Sequence, residues 1–263
     1  MKIIAFTQLR NELNKGNLEN WFKCTEPCDY RYIFDQNSDD GSKEYYKKFD
    51  NTVVIESPTN RFKEELICKQ ELMDQLLLDH PDVDWVLWLD GDLLLDGRLL
   101  DNNGQNLRGL CDAGMQQGIE AFFFGHYNLW RSDIHYRLDE GYHGLHGQWC
   151  PLWRNTGRLK FDNSPGLHKP QYPLTFRRVA NSGFNVVHRG FATDSQIITK
   201  YDTYKGFGQK GWDLDRLLDE KTLDVAPLED GILPSWFNKT DVVDPRNKKK
   251  IIELYEEKQK TND

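Results

Sequence analysis

Residues 84–95 read DWVLWLDGDLLL and carry the strongest structural signal in the chain. Five apolar residues, Trp85 to Leu89, follow one another without a break, which is typical of a strand buried on both faces. The run ends at two aspartates that flank Gly91. We therefore predict a buried strand of a parallel sheet, with Asp90 and Asp92 at its carboxyl end.

Asp90 and Asp92 stand one residue apart, so their side chains point to the same side of an extended backbone. They can converge on one point at the carboxyl end of the strand, where open α/β sheets bind ligands. Gly91 leaves room there for an incoming ligand. Paired carboxylates suit Mg²⁺ or Mn²⁺, ions that complete their shells with phosphate and water. The alternative is an ordinary polar turn, because Asp-Gly is common in turns.

Strand and helix patterns alternate four times in about the first 95 residues, the strand at residues 85–89 being the fourth. Apolar strand patterns occur at residues 2–7, 30–34 and 52–55, and the longest helical stripe runs over residues 61–79. The alternation predicts an α/β fold with a mostly parallel sheet flanked by helices. Polar residues that follow the strands would then share one sheet edge, a usual place for a nucleotide. The chain contains neither G-x-G-x-x-G nor G-x-x-x-x-G-K-[ST], so dinucleotide and P-loop sites lack their usual evidence.

The composition favours one large domain and argues against nucleic acid as a partner. The 263 residues carry a formal net charge of −8, whereas phosphate backbones attract basic surfaces. Five scattered cysteines predict reduced thiols. The chain begins with an apolar strand pattern rather than a signal peptide, and no run approaches the ~18 apolar residues of a membrane span. We expect a cytoplasmic protein with no membrane span.

From His126 onward the sequence is rich in aromatic, histidine, glycine and arginine residues. We expect loop-rich structure there, with short strands at residues 149–154 and 159–161. Aromatic faces combined with polar side chains often hold sugar rings, although packing into the core is the alternative for each aromatic. The chain is accordingly divided into an α/β half (1–125), a loop-rich half of the same domain (126–240) and a charged tail (241–263).

Four motifs occur in a consistent order along the chain. They are RNE at 10–12, DQNSDDGS at 35–42, WVLWLDGD at 85–92 and VVHRGF at 186–191. Together they resemble the metal-dependent glycosyltransferases of the GT-A fold, most closely the family 2-like group with its D-x-D motif. The resemblance covers about residues 1–95 well, 149–205 loosely and the last sixty residues poorly.

The resemblance implies transfer of a hexosyl group from a nucleotide-diphosphate sugar to a hydroxyl of a glycan or other acceptor, with inversion. It implies that Mn²⁺ or Mg²⁺ is bound by Asp90, Asp92 and His188. The residues that it implies for the nucleotide-sugar are Thr7, Arg10, Asp35, Lys69, Asp90, Gly91 and Asp92. Residues 1–125 would form the donor half and residues 126–240 the acceptor half.

The motifs do not identify the catalytic base. Relatives often carry an acidic residue after the histidine of the segment that GLHKP resembles, where this chain has Lys169. Candidate bases are acidic residues of the second half, namely Asp139 first, then Glu140, Asp133 and Asp162. The candidates for acceptor contacts are Trp149, Trp153 and His168.

Three alternatives stay open. A zinc-dependent hydrolase or zinc-stabilised domain could use histidines and a cysteine of the second half, namely His126, His135, His143, His146 and Cys150, although no H-E-x-x-H occurs. A non-catalytic sugar-binding module would use the aromatics alone. A nucleotidyltransferase would share the α/β sheet and aspartate pair, but normally has a glycine-rich basic loop that QLRNELNKG matches poorly.

Overall fold

The computed structural model describes residues 1–139, 149–162 and 171–262 of the chain. Within these residues the strands are β1 (Ile3–Leu9), β2 (Tyr30–Asp35), β3 (Thr52–Glu56), β4 (Trp85–Trp88), β5 (Leu93–Leu95), β6 (Ala121–Asn128), β7 (His135–Arg137), β8 (Trp149–Arg154), β9 (Val179–His188) and β10 (Val225–Pro227). The helices are α1 (Leu18–Cys24), α2 (Ser42–Tyr46), α3 (Glu65–Asp79), α4 (Gly97–Gln117), α5 (Asp194–Gly206), α6 (Trp212–Asp215) and α7 (Ile251–Asn262).

The main sheet has eight strands in the order β3-β2-β1-β4-β8-β6-β9-β5. Strands β1 to β4 pair in parallel, β8 runs antiparallel to both β4 and β6, β9 is parallel to β6, and β5 is antiparallel to β9. The predicted α/β fold, with a mostly parallel sheet flanked by helices, is confirmed. The arrangement is consistent with the Rossmann-like sheet of the GT-A fold.

The predicted strand at residues 159–161 is wrong. The backbone N–H of Phe161 donates to the Gln70 side chain of α3 at 3.0 Å, and the side chains of Leu159 and Phe161 are buried in the core. The segment therefore packs across α3 as irregular chain instead of joining a strand ladder.

Strand β4 lies inside the sheet because its two faces are both apolar. Trp85 and Leu87 pack into the core that includes α1 and α4, and Val86 and Trp88 pack into the core that includes α3. All four side chains are at most 1% exposed. The unbroken apolar run thus fills both sides of the sheet, as expected for a central strand.

Two long-range pairings bring distant strand ends to the edge where the D-x-D motif lies. Leu93 of β5 pairs with His188 of β9, and Asn128 of β6 also pairs with His188. Helix α5 begins six residues after His188, behind a capping box at Thr193. One position at this sheet edge is therefore surrounded by the ends of β4, β6 and β9 and by the first turns of α5.

All five cysteines are buried and unpaired. Among the described residues, no helix is both long enough and apolar enough to cross a membrane. The charged tail forms α7, which is anchored at its start by the buried Ile251.

Candidate functional site

A tight turn joins β4 to β5 and carries the two aspartates. The backbone N–H of Leu93 donates to the carbonyl of Asp90 at 3.0 Å. A Cβ at Gly91 would lie 2.7 Å from Leu9 Cδ2 and 2.9 Å from Glu12 Cγ. The glycine is therefore required by close packing against the end of β1 and the loop that follows it. This packing places the turn in contact with the RNE segment.

The side chain of Asp92 meets His188 at the end of β9, where Asp92 Oδ2 lies 3.1 Å from His188 Nε2. The other ring nitrogen, Nδ1, donates to Asn128 Oδ1 at 2.7 Å, so Nε2 of the neutral ring is an acceptor. Burial lowers the pKa of His188, and the positive charge of Lys200 lowers it further. Both effects favour the neutral ring. Two acceptor atoms, one from Asp92 and one from His188, thus converge on one point.

Lys200, in α5, places its ammonium group against both acceptors. Its Nζ atom lies 3.3 Å from Asp92 Oδ2, 3.2 Å from His188 Nε2 and 4.4 Å from the centre of the Phe191 ring. Burial alone would raise the pKa of Asp92, but nearby positive charge, such as the Lys200 ammonium at 3.3 Å, outweighs burial and holds that pKa well below its ordinary range. Asp92 is therefore an ionised carboxylate paired with a cation.

Gly190 leaves open the space on which these three side chains converge. A Cβ there would lie 2.0 Å from Lys200 Nζ, 2.4 Å from His188 Nε2 and 2.6 Å from Asp92 Oδ2. We call this open space at Gly190 the cradle. A carboxylate oxygen and an imidazole nitrogen that face it fit a divalent ion such as Mn²⁺. No group of three or more His, Cys, Asp or Glu residues in the described part of the chain could hold a metal ion. An ion bound by Asp92 and His188 would therefore need further ligands from a bound molecule or water.

Asp90 lies beside this pair and in a different electrostatic environment. Burial raises the pKa of Asp90 to about 7, and the charge of Lys69 opposes that rise. Lys69 itself is fully buried, 3.4 Å from Glu65 Oε1 and 3.7 Å from the centre of the Trp88 ring. Besides the partly exposed Lys200, the site thus contains a fully buried lysine on the α3 side of the aspartates.

The predicted nucleotide contacts at the ends of β1 and β2 differ in exposure. Thr7 is fully buried, whereas Arg10 is exposed. Asp35 is also fully buried, and its two oxygens accept hydrogen bonds from Ser38 N at 2.8 Å and from Tyr46 Oη at 2.9 Å. Asp35 therefore holds the DQNSDDGS loop in place, and its contact with a nucleotide stays a prediction.

The candidate bases differ in their hydrogen-bond partners and in their exposure. Asp139 forms a two-bond ion pair with the buried Arg137, at 2.5 and 2.6 Å. Asp133 is buried and accepts bonds from the backbone and hydroxyl of Thr240. Asp162 is half-buried. Glu140, like the acceptor candidate His168, lies outside the described residues.

The two tryptophans proposed as acceptor contacts lie in different places. Trp149 is half-buried, and its ring stacks on His126 with centroids 5.6 Å apart. Trp153 is 0% exposed and packs edge-to-face against Phe6 and Phe161 in the core. The structure thus places Trp153 in the core under the sheet, away from any surface that an acceptor could reach.

Sequence reasoning missed Asn128, Gly190 and Lys200 as members of this site. Asn128 is the last residue of β6, four residues after the apolar run 121–124, and a polar residue at a strand end could have pointed to it. Gly190 stands within the VVHRGF motif, but the motif alone does not show which side chains the missing Cβ accommodates. Lys200 is one of many lysines on helices, and nothing local distinguishes it.

No protein-family model matches the sequence, and no curated protein sequence matches it. Solved structures with a similar chain path include a glycosyltransferase involved in the glycosylation of the major capsid of PBCV-1, at 12% identity and a TM-score of 0.33, over 59% of this chain and 61% of that one. This chain thus spans less than two thirds of that neighbour.

Two further neighbours are synthases. Glucosyl-3-phosphoglycerate synthase from Mycobacterium tuberculosis, solved with Mn²⁺, uridine-diphosphate and glucosyl-3-phosphoglycerate, is 13% identical with a TM-score of 0.40, over 80% of this chain and 81% of its own. A 4-diphosphocytidyl-2C-methyl-D-erythritol synthase is 12% identical with a TM-score of 0.38, over 70% and 90%. Similarity at this level leaves the chemistry of the site to be inferred from the side chains themselves.

Proposed function

We propose that the chain is a metal-dependent glycosyltransferase that moves a sugar from a nucleotide-diphosphate donor to an acceptor hydroxyl, with inversion. The proposal is carried by the two acceptor atoms, Asp92 Oδ2 and His188 Nε2, that converge 3.1 Å apart on the cradle at Gly190. They lie at the strand edge where α/β sheets bind ligands. Because the described residues supply two side-chain ligands, Asp92 and His188, the site suits an ion that takes its remaining ligands from a diphosphate.

Asp92 and His188 would hold Mn²⁺ or Mg²⁺, which when bound neutralises the charge that develops on a departing diphosphate. Asp90 stands next to this pair and would contact the ribose or sugar of the donor. Lys69 supplies a buried positive charge from the α3 side of the site. Thr7, Arg10, Gly91 and the loop held by Asp35 would line the nucleotide.

The acceptor hydroxyl needs a base within hydrogen-bond reach. Both oxygens of Asp139 already accept hydrogen bonds from Arg137, so neither is turned to an acceptor hydroxyl in this structure. Asp139, Glu140 and Asp162 stay the candidate bases. Substituting each by the matching amide should lower kcat and leave the affinity for the donor nucleotide unchanged.

Calorimetric titration of UDP and of GDP, with and without Mn²⁺, tests the donor site. We expect Mn²⁺-dependent binding in the wild-type protein and its loss in Asp92→Ala. Asp101→Ala, at an exposed position in α4, is the matched control and should bind as the wild type does. Absence of binding for both nucleotides with any divalent ion would overturn the proposal.

The reaction class is tested by product analysis with the same protein. A glycosyltransferase releases a nucleoside diphosphate from a sugar nucleotide, whereas a nucleotidyltransferase releases pyrophosphate from a nucleoside triphosphate. Stoichiometric zinc in the purified protein would instead favour the zinc hydrolase. Sugar binding without any nucleotide binding would favour a non-catalytic module.

A further inference from the structure

The ammonium group of Lys200 occupies the point on which Asp92 and His188 converge. Its Nζ atom is 3.3 Å from Asp92 Oδ2 and 3.2 Å from His188 Nε2, and it rests on the face of Phe191. The Lys200 side chain is 26% exposed, so solvent reaches it from one side. The flexible side chain of Lys200 thus holds a positive charge at the place where a divalent ion would bind.

A cation is needed at this point when no ligand is bound. Asn128 Oδ1 lies 2.7 Å from Nδ1 of His188, and in the tautomer that donates from Nδ1 the Nε2 atom is an acceptor 3.1 Å from Asp92 Oδ2. Two acceptor atoms at that distance repel each other unless a donor lies between them. Lys200 has three N–H donors and satisfies both atoms at once.

The other cations nearby already have partners of their own. Lys15 Nζ is 2.6 Å from Glu12 Oε1, and Arg189 Nη1 donates to Asn17 Oδ1 at 2.9 Å. Lys200 is therefore the group that an incoming ion must displace. Such an ion would gain two side-chain ligands and lose the stabilisation that the ammonium gives them, so it should bind weakly on its own.

We propose that Lys200 couples binding of the divalent ion to binding of the diphosphate. In the free protein Lys200 neutralises Asp92 and excludes the ion. When a nucleoside diphosphate binds with the ion, its negative charge gives the displaced ammonium a new partner. This inference rests on the proposed function, because it assigns Lys200 to the same diphosphate site. It makes ion and nucleotide bind tightly only as a pair.

The coupling can be measured without any catalytic turnover. Mn²⁺ affinity is measured by electron paramagnetic resonance in the absence of nucleotide, and UDP affinity by calorimetry at saturating Mn²⁺. In Lys200→Met the Kd for Mn²⁺ alone should fall at least about tenfold, since a competing positive charge at contact distance is removed. The Kd for UDP should rise by a similar factor because the diphosphate loses a cation. Opposite shifts of this kind are not expected from a general loss of structure.

Lys205→Met is the matched control, because Lys205 is an exposed lysine of the same helix. It should leave both constants at the wild-type values. An unchanged or raised Kd for Mn²⁺ in Lys200→Met would overturn the inference, as would an unchanged Kd for UDP. Failure of wild-type protein to bind UDP under any condition would instead count against the proposed function. The nucleotide-free Mn²⁺ titrations would still test the exclusion of the ion by Lys200.

Discussion

The Oδ2 atom of Asp92 lies 3.1 Å from Nε2 of His188, although 96 residues separate the two side chains. The distance is set by β5 and β9, which pair so that His188 stands opposite Leu93, directly after Asp92. The imidazole is then oriented by Asn128 from the neighbouring strand β6. Three strands thus fix the geometry of a two-ligand site.

Asn128→Ala should weaken Mn²⁺ binding about 10- to 100-fold, the usual cost of losing the group that orients a metal-binding histidine. Without Asn128 the ring can carry its proton on Nε2 and donate it to Asp92, which removes one ligand. Mn²⁺ titration by electron paramagnetic resonance measures the affinity, and ¹⁵N spectra of labelled histidine report the tautomer. Asn51→Ala, at an exposed turn, is the control. Wild-type Mn²⁺ affinity together with an unchanged His188 tautomer in Asn128→Ala would rule out this orienting role.

Gly190→Ala should abolish Mn²⁺-dependent UDP binding while the protein stays folded. The new methyl group would fill the cradle, at 2.0 to 2.6 Å from atoms of Lys200, His188 and Asp92. Gly190 does not have a left-handed backbone, so alanine is compatible with its conformation. Gly109→Ala is a matched control because nothing lies within 4 Å of a Cβ there. If Gly190→Ala bound UDP and Mn²⁺ as tightly as Gly109→Ala does, the cradle would not be the ion's position.

The sequence predicts the sheet and the aspartates because both signals are local. The apolar run of β4 and the D-x-D turn can be identified from adjacent residues, and the VVHRGF motif points to His188. Lys200 could not be predicted, since its contact with Asp92 spans 108 residues and depends on how α5 packs after β9. Composition also could not distinguish Trp149 from Trp153, whose spacing puts both on one face of an ideal strand. Their difference depends on the partner strands, because Trp153 pairs with both β4 and β6, whereas Trp149 lies beyond the β4 pairing and pairs with β6.

Tyr46→Phe should lower the free energy of unfolding at pH 7 by about 1–3 kcal/mol, because one oxygen of the buried Asp35 loses its donor. Burial, together with the charge and hydrogen bond of Asp35, raises the pKa of Tyr46 above its ordinary value near 10. The folded state therefore disfavours ionisation of this phenol.

The contribution of Tyr46 to stability is thus fully present below pH 10 and is lost as the pH rises through the folded pKa. Denaturant unfolding from pH 7 to pH 11 measures the difference between wild type and Tyr46→Phe, which should shrink at the alkaline end. A difference that stayed constant or grew with pH would contradict the assignment.

Trp153→Ala should lower the stability of the protein, whereas Trp149→Ala should lower its use of the acceptor. Trp153 is fully buried and its Nε1 donates to the carbonyl of Cys150 at 2.5 Å, so its truncation should cost about 3–5 kcal/mol of stability. Trp149 is half-buried against His126, and its truncation should reduce sugar transfer to the acceptor while Mn²⁺-dependent UDP binding stays at the wild-type level. Denaturant unfolding, calorimetry and initial rates at varied acceptor concentration separate these effects. A Trp153→Ala protein as stable as wild type, or a folded Trp149→Ala protein that no longer binds UDP, would contradict the placement of the two rings.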